Sequence, residues 1–143
     1  MTRILAATLV FLVSATAPLS PALAPPEPDI PALLREAEVR QGLPDYLLHA
    51  ICQVESRMDP EAIGAQGEVG LLQLHPKWHD VSGGVPAQID TAARYLRAMI
   101  DRYGLDLGIA AYNQGPSRPV VVGAYVRRVY RAWEVWRNRE VLR

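Results

Sequence analysis

Apolar residues recur along most of the chain at the three- and four-residue spacing that is typical of amphipathic helices. This periodicity predicts a first helix that begins near Pro31, is capped by Asp29 and stops at Gly42. A second helix is predicted from Pro44 to the residues before Pro60, because the position preceding a proline disfavours helical geometry. Three more helices are predicted: one capped by Asp90 and stopped by Gly104, a short one over residues 107–112, and a last one over residues 126–136.

Two stretches depart from the helical pattern. Gly64, Gly67 and Gly70 punctuate a loop that is predicted to lead into a short helix before Pro76. Residues 120–122, three valines in a row, favour a strand locally, but no second strand is evident to pair with them. The sequence therefore predicts a mainly α fold built as a single helical domain.

The first 24 residues have the layout of a secretory signal peptide. Arg3 supplies a positive charge, residues 4–13 are a nearly unbroken apolar run, and small residues and prolines continue to a cleavage site near residues 22–24. We predict a proline-rich linker over residues 25–29 and the folded domain over residues 30–143. The apolar run is shorter than a membrane-spanning helix needs, so a periplasmic or secreted protein is expected, with an uncleaved membrane anchor as the alternative.

Composition narrows the range of partners. The 143 residues suffice for one domain, and 15 basic residues balance 15 acidic ones, which argues against a general nucleic-acid binder. A monomer is expected.

Cys52, the single cysteine, has no partner for an intramolecular disulfide and is predicted to be a small buried hydrophobe. The arginine-rich C-terminal stretch indicates either a solvated helix face or contact with an anionic polymer or membrane surface; its arginines are Arg118, Arg127, Arg128, Arg131, Arg137, Arg139 and Arg143.

Glu55 is the acidic residue that most needs an explanation. It follows Ile51 by four residues and Leu47 by eight, so it projects from the apolar face of the second predicted helix. Partial burial and the negative end of the helix dipole both favour the neutral carboxylic acid. Such an acid can protonate a leaving group, as glycosidic cleavage requires. A structural salt bridge to Arg57 or another arginine is the alternative, and position alone leaves both interpretations open.

Short sequence blocks contain or follow this glutamate. They are Glu55-Ser56, a Gly-x-x-Gly-Leu-Leu-Gln block over residues 67–73, an Ala-Tyr-Asn-x-Gly-Pro block over residues 111–116, and Tyr125-Val126 with Val129. Together, over residues 42–130, they resemble the transglycosylase SLT family, the lysozyme-like lytic transglycosylases, whose pattern has a methionine at the position of Leu72.

The resemblance implies a lysozyme-like fold with a substrate cleft, and peptidoglycan as the substrate. A single glutamate, Glu55, would protonate the bond between N-acetylmuramic acid and N-acetylglucosamine. It would then deprotonate the muramoyl C6 hydroxyl and close a 1,6-anhydro ring. By the same resemblance Ser56 would hold Glu55, Tyr112 and Asn113 would orient Glu55 or the sugar, Gln73 would contact a sugar acetamide, and Tyr125 would line the cleft.

The chain departs from the family pattern at several positions. Gly64 stands where a serine is usual, Glu68 where an alanine is usual, and Ala92 where a glycine is common, while the stretch over residues 79–88 is short. These departures bear on the sugar-binding positions more than on the chemistry.

Rival interpretations come from other chemistries. His75 and His79, followed by Asp80, could bind a metal, but Pro76 weakens that geometry and no fuller ligand set is evident, so no metal or cofactor is predicted. A hydrolytic lysozyme would share the fold and the acid. A non-catalytic wall-binding or assembly component would share only the fold. Service to an envelope-spanning secretion, conjugation or pilus apparatus, or to a phage, is compatible with the sequence.

Overall fold

The computed structural model describes residues 27–117 and 119–141, and within this part of the chain it contains five α-helices and no extended strand. The prediction of a mainly α, lysozyme-like helical fold is confirmed. The predicted signal peptide and the first two prolines of the predicted linker lie outside the described residues. The helices are α1 (Ile30–Gln41), α2 (Leu47–Glu55), α3 (Gly84–Tyr103), α4 (Leu105–Gln114) and α5 (Ala124–Val141).

The ends of α1 follow the predicted capping residues. The Asp29 carboxylate accepts a hydrogen bond from the Ala32 backbone N–H at 3.1 Å, which satisfies one of the unpaired donors of the first turn. Gly42 ends the helix in the left-handed conformation, with φ of 60°, and its N–H donates to the carbonyls of Glu38 and Val39. Both predicted ends of α1 are confirmed.

Two predicted helix starts are wrong. α2 begins at Leu47 because Pro44 opens a turn in which Tyr46 adopts a left-handed φ of 63°. α3 begins at Gly84 and not at Asp90, whose carboxylate pairs with Arg94 one turn further along. Pro86 falls in the first turn of α3, where a helix does not need its N–H, so the helix can start before Asp90.

One further local prediction is also wrong, since no short helix forms before Pro76. Residues 71–73 form turns, Leu74 lies in an isolated bridge, and Gln73 has a left-handed φ of 47°. Residues 120–122 form no strand, because the Gln114 side chain binds both backbone groups of Val121: its Nε2 donates to the carbonyl at 2.7 Å and its Oε1 accepts from the N–H at 3.2 Å. A side-chain amide thus takes the place of a partner strand.

A central helix, α2, has a buried face and ends at Glu55. Leu47, Leu48, Ile51 and Cys52 on this helix are fully buried, and the helix packs against α1 and α5. The predicted burial of Cys52 is confirmed, and burial raises the pKa of its thiol to about 12. α3 and α4 form a second closely packed pair. None of the helices in the described ranges is both long and apolar enough to span a bilayer.

The N-terminus of α2 is held by a buried glutamate from α1. Glu38 is fully buried, and its carboxylate accepts from the backbone N–H groups of Tyr46, Leu48 and His49 at 3.0, 2.8 and 3.3 Å. The His49 ring completes the group, with Nδ1 3.0 Å from Glu38 and Nε2 3.1 Å from the Pro31 carbonyl oxygen. A carboxylate from another helix therefore caps α2 and complements the positive end of its dipole.

Residues 62–74, called the glycine loop below, cross the C-terminal end of α2. Two isolated antiparallel bridges, Ile63 with Val69 and Val69 with Leu74, fold this segment back on itself. Gly70 adopts a φ of 73°, a conformation that a side chain would strain. The loop is the main element other than a helix that lies near Glu55.

Candidate active site

Glu55 is the last residue of α2, and its side chain is largely buried. The Tyr125 hydroxyl, from α5, donates a hydrogen bond to Glu55 Oε1 at 2.6 Å. Among the residues that the structure describes, neither Arg57 nor any other arginine forms an ion pair with Glu55, and no donor is recorded for its Oε2. One oxygen of the Glu55 carboxyl is therefore held by the protein, and the other is available to a ligand.

The electrostatic surroundings raise the pKa of Glu55. Burial is the largest cause, and the charge of Glu68 adds to it. The Tyr125 hydrogen bond and the charge of Arg128 oppose the rise without cancelling it. Glu55 is therefore set to hold its proton at a higher pH than an ordinary glutamate, as a general acid must.

This raised pKa predicts a pH-dependent stability difference. Below the ordinary pKa of 4.5 the carboxyl is neutral in both the folded and unfolded states, so folding does not have to remove a charged group from water. As the pH rises above 4.5 the unfolded chain ionises first, so stability is lost until the folded-state pKa is passed. We expect the melting temperature of Glu55→Gln, which cannot ionise, to rise relative to that of wild type as the pH increases above 4.5. Glu61→Gln, at an exposed position, is the control; a gap for Glu55→Gln that stays constant with pH would contradict the prediction.

The two tyrosines predicted for the site donate hydrogen bonds to different acceptors. Tyr125 contacts Glu55 directly, whereas the Tyr112 hydroxyl donates to the Leu72 carbonyl of the glycine loop at 2.7 Å. Both rings are buried, and burial together with the Glu55 charge holds the pKa of each phenol well above its usual range. Both phenols therefore remain hydrogen-bond donors. The Tyr112 ring also packs against Tyr95, with ring centres 5.3 Å apart.

Ser56 and Gln73 also bind main-chain carbonyls of the glycine loop. The Ser56 hydroxyl donates to Leu71 at 2.8 Å and not to Glu55, and Gln73 Nε2 donates to Gly70 at 2.9 Å. With Tyr112 on Leu72, three predicted site residues thus fix three successive carbonyls of one loop. The arrangement indicates that they fix the path of the glycine loop near Glu55.

Asn113 lies at the end of α4 with its side chain exposed. No hydrogen bond of its side chain to another described residue is recorded, so its amide can reach a ligand. Its predicted role in orienting the sugar, like the substrate contacts of Ser56, Gln73 and Tyr112, stays a prediction.

Left-handed backbone conformations concentrate around Glu55. Arg57 and Met58, directly after α2, have φ values of 58° and 70°, and Gln73 in the glycine loop has a φ of 47°. Residues with side chains adopt this region at some energetic cost, and such strain is typical of functional sites. Here it allows the chain to turn sharply away from Glu55 and return past it as the loop.

The two departures from the family pattern in the loop fit each other in space. A Cβ added at Gly64 would lie 2.3 Å from Glu68 Oε2 and 2.6 Å from Gln73 Oε1, so the glutamate occupies the volume that a serine would need. Glu68 is held there by the Gln66 N–H, which donates to Oε2 at 3.0 Å. The glycine and the glutamate are thus a matched pair.

This fit predicts a non-additive double mutant. Gly64→Ser should destabilise the protein by about 1–2 kcal/mol through crowding against flexible side-chain ends. Adding Glu68→Ala should recover most of that loss, with a coupling above about 0.5 kcal/mol. Denaturant unfolding of the wild type, both single variants and the double variant measures this coupling. Simple addition of the two single effects would contradict the steric pairing.

The two histidines that the sequence offers as metal ligands have other contacts. The His79 ring packs against Tyr95 with ring centres 4.5 Å apart, and His75 Nδ1 accepts from the Lys77 N–H at 3.1 Å. Asp80 binds Ser82. In the described part of the chain, no group of three or more His, Cys, Asp or Glu residues is placed to hold a metal ion.

The roles of two residues near or behind the site were not predicted from the sequence. Arg128 lies beside Tyr125 and acts on the pKa of Glu55, and its place in the Tyr-Val-x-x-Val element was a usable signal. Glu38, four residues after Leu34 on the buried face of α1, shows the same pattern that singled out Glu55.

Comparisons with known proteins support the resemblance. Residues 32–83, which include Glu55, Ser56 and Gln73, match the family model described as the Transglycosylase SLT domain. The chain is also 28% identical over 109 residues to the "Membrane-bound lytic murein transglycosylase C" of Photorhabdus laumondii. That alignment covers 65% of this chain and 29% of the relative, so the chain spans less than a third of that protein's length. The predicted resemblance to the SLT family is confirmed.

Proposed function

We propose that this member of the transglycosylase SLT family is a lytic transglycosylase that cleaves the glycan strands of peptidoglycan with Glu55 as its single acid and base. The observation that carries the proposal is the Glu55 carboxyl itself. It is largely buried at the end of α2, its pKa is raised, and Tyr125 binds one of its oxygens at 2.6 Å. The other oxygen, Oε2, is the one that would meet the substrate.

The reaction proceeds in two proton transfers through one residue. Protonated Glu55 donates its proton to the glycosidic oxygen between N-acetylmuramic acid and N-acetylglucosamine, and the bond from that oxygen to the muramoyl C1 breaks. The resulting carboxylate accepts the proton of the muramoyl C6 hydroxyl, whose oxygen bonds to C1. The products are a 1,6-anhydro-muramoyl end and a free N-acetylglucosamine hydroxyl. No water is consumed, and Glu55 ends protonated.

The surrounding residues support both states of the glutamate. Tyr125 is a donor whether Glu55 is neutral or ionised, and its bond grows stronger when charge develops on the carboxylate. Burial favours the acid at the start, and Arg128 limits how far the pKa rises, so the carboxylate remains accessible as a base. Ser56, Tyr112 and Gln73 act through the glycine loop that they hold. Asn113 is proposed to contact the sugar.

Glu68 favours a second candidate, a hydrolytic lysozyme. Its charge raises the pKa of Glu55, so a second carboxylate stands near the acid as in two-carboxylate glycosidases. In that reaction water attacks C1 and the product ends in a reducing muramic acid. We prefer the transglycosylase because the Glu68 carboxylate is already held by the Gln66 N–H over Gly64.

The setting of the enzyme is also proposed from the sequence. A protein that acts on peptidoglycan works outside the cytoplasm, in agreement with the predicted signal peptide and with a periplasmic or secreted monomer. Service to a secretion, conjugation or pilus apparatus is proposed on the same basis.

Mass spectrometry of the released muropeptides tests the proposal. Purified peptidoglycan is digested with the protein from residue 25 onward, with Glu55→Gln and Glu68→Gln in parallel. Anhydro-muropeptides from wild type and from Glu68→Gln, and none from Glu55→Gln, are the expected result. Reducing products that disappear with Glu68→Gln would establish the lysozyme in its place, and an inactive wild type would refute both enzymes.

A further inference from the structure

Arg128 brings a positive charge to the edge of the site. It follows Tyr125 by three residues in α5, so the two side chains lie on one helix face, and its guanidinium carbon is 5.7 Å from the centre of the Tyr125 ring. Tyr125 in turn donates to Glu55 at 2.6 Å. Burial raises the pKa of both Glu55 and Tyr125, and the Arg128 charge opposes the rise in both.

The guanidinium has no carboxylate partner among the described residues. By contrast, two arginines of α1 form ion pairs among the described residues: Arg35 pairs with Asp45, and Arg40 pairs with Asp90. The Arg128 side chain is exposed, and the Tyr125 ring contacts it on one side. Its planar fork can therefore bind an external carboxylate through two parallel hydrogen bonds.

A negative charge lies on another element near the same glutamate. Glu68, in the glycine loop, is held by the Gln66 N–H at 3.0 Å, and its charge raises the pKa of Glu55. The surroundings of Glu55 thus include a cation on α5 and an anion on the glycine loop. A carboxylate on a bound ligand is attracted to Arg128 and repelled from Glu68.

We propose that Arg128 is a specificity-determining residue that binds a carboxylate of the muramoyl side of the substrate and so sets the direction of the glycan strand across Glu55. The inference rests on the proposed function. The muramoyl sugar whose C1 bond breaks bears its lactyl group on the same ring, and that group ends in a carboxylate or continues into a carboxylate-bearing stem peptide. N-acetylglucosamine, on the other side of the bond, has no such charge.

Charge removal on both partners tests the proposal. Arg128→Gln and wild type are assayed on peptidoglycan strands and on the same strands after their carboxylates have been converted to amides. Each strand type is prepared with its stem peptides and with the peptides removed. Arg127→Gln, the same change on the adjacent exposed residue of α5, is the matched control, and circular dichroism verifies the fold of each variant.

The expected result is a larger loss on the charged strands. Arg128→Gln should lower kcat/KM about three- to tenfold more on carboxylate-bearing strands than on amidated strands, whereas Arg127→Gln should affect the two kinds of strand equally. The amidated strands also report any effect of the lost charge on the pKa of Glu55, because that effect is common to both substrates. An equal loss on both kinds of strand, or no loss on either, would overturn the proposal.

The two peptide states locate the carboxylate. A loss seen only with stem peptides assigns the peptide carboxylate, and a loss seen only after their removal assigns the lactyl carboxylate; both support the proposal. If wild type cleaves none of the strands, the proposed function itself fails and this inference with it. Cleavage by wild type with no charge preference overturns the inference alone.

Discussion

Replacing Glu55 by glutamine is expected to lower the rate of glycan cleavage by about 10³-fold or more, because it removes the only group proposed to donate and then accept the proton. The fold should persist. Glutamine has nearly the same shape, and its side-chain oxygen can still accept the hydrogen bond that Tyr125 donates to Glu55 Oε1 at 2.6 Å. The rate is measured as anhydro-muropeptide release per enzyme, alongside thermal unfolding of each variant.

A matched control variant distinguishes the loss of the catalytic carboxyl from the loss of one negative charge. Glu61→Gln removes a carboxylate from an exposed position shortly after α2 and should retain the wild-type rate. Tyr125→Phe removes the hydroxyl bound to Glu55 and should have an intermediate effect, since the acid remains but its orientation is lost. Retention of most activity by Glu55→Gln, with its fold intact, would assign the chemistry to another residue.

The comparison of Glu55 with Glu38 explains how far the sequence could lead. Both glutamates lie on the apolar face of a helix, and periodicity marks them equally. Among the residues that the structure describes, Glu38 accepts from Tyr46, Leu48 and His49, whereas the single donor to Glu55 is Tyr125. A buried acid with a full set of donors is structural, and one with a spare oxygen is available for chemistry. That difference depends on tertiary contacts that periodicity does not contain.

The helices were predictable to the degree that their signals are local. Asp29 and Gly42 cap α1 through hydrogen bonds to residues close to them in sequence, and both ends of the helix agree with the prediction. The start of α2 and the path of the glycine loop depend on distant groups, since Glu38 caps the helix, and Ser56 and Tyr112 bind the loop. The same reason explains why the contacts of these two residues with loop carbonyls could not be predicted from the sequence.

Glu38→Ala is expected to lower the free energy of unfolding by about 3–5 kcal/mol, a larger loss than Gly64→Ser should cause. The carboxylate accepts from three backbone N–H groups at the start of α2 and lies 3.0 Å from the His49 ring, and it is fully buried. Alanine removes every one of these acceptors at once, and water has little access to replace them. Urea unfolding followed by circular dichroism measures the loss.

The effect should depend on hydrogen bonding and burial and not on charge alone. Glu36→Ala, on the exposed side of α1, removes the same charge and its 3.7 Å ion pair with Arg40, and should cost less than about 0.5 kcal/mol. Glu38→Gln keeps one carbonyl acceptor and should fall between the two. Below its melting temperature Glu38→Ala should still cleave glycan, because Glu55 lies at the opposite end of α2. Equal stability of Glu38→Ala and Glu36→Ala would mean that the buried carboxylate does not anchor the helix that carries Glu55.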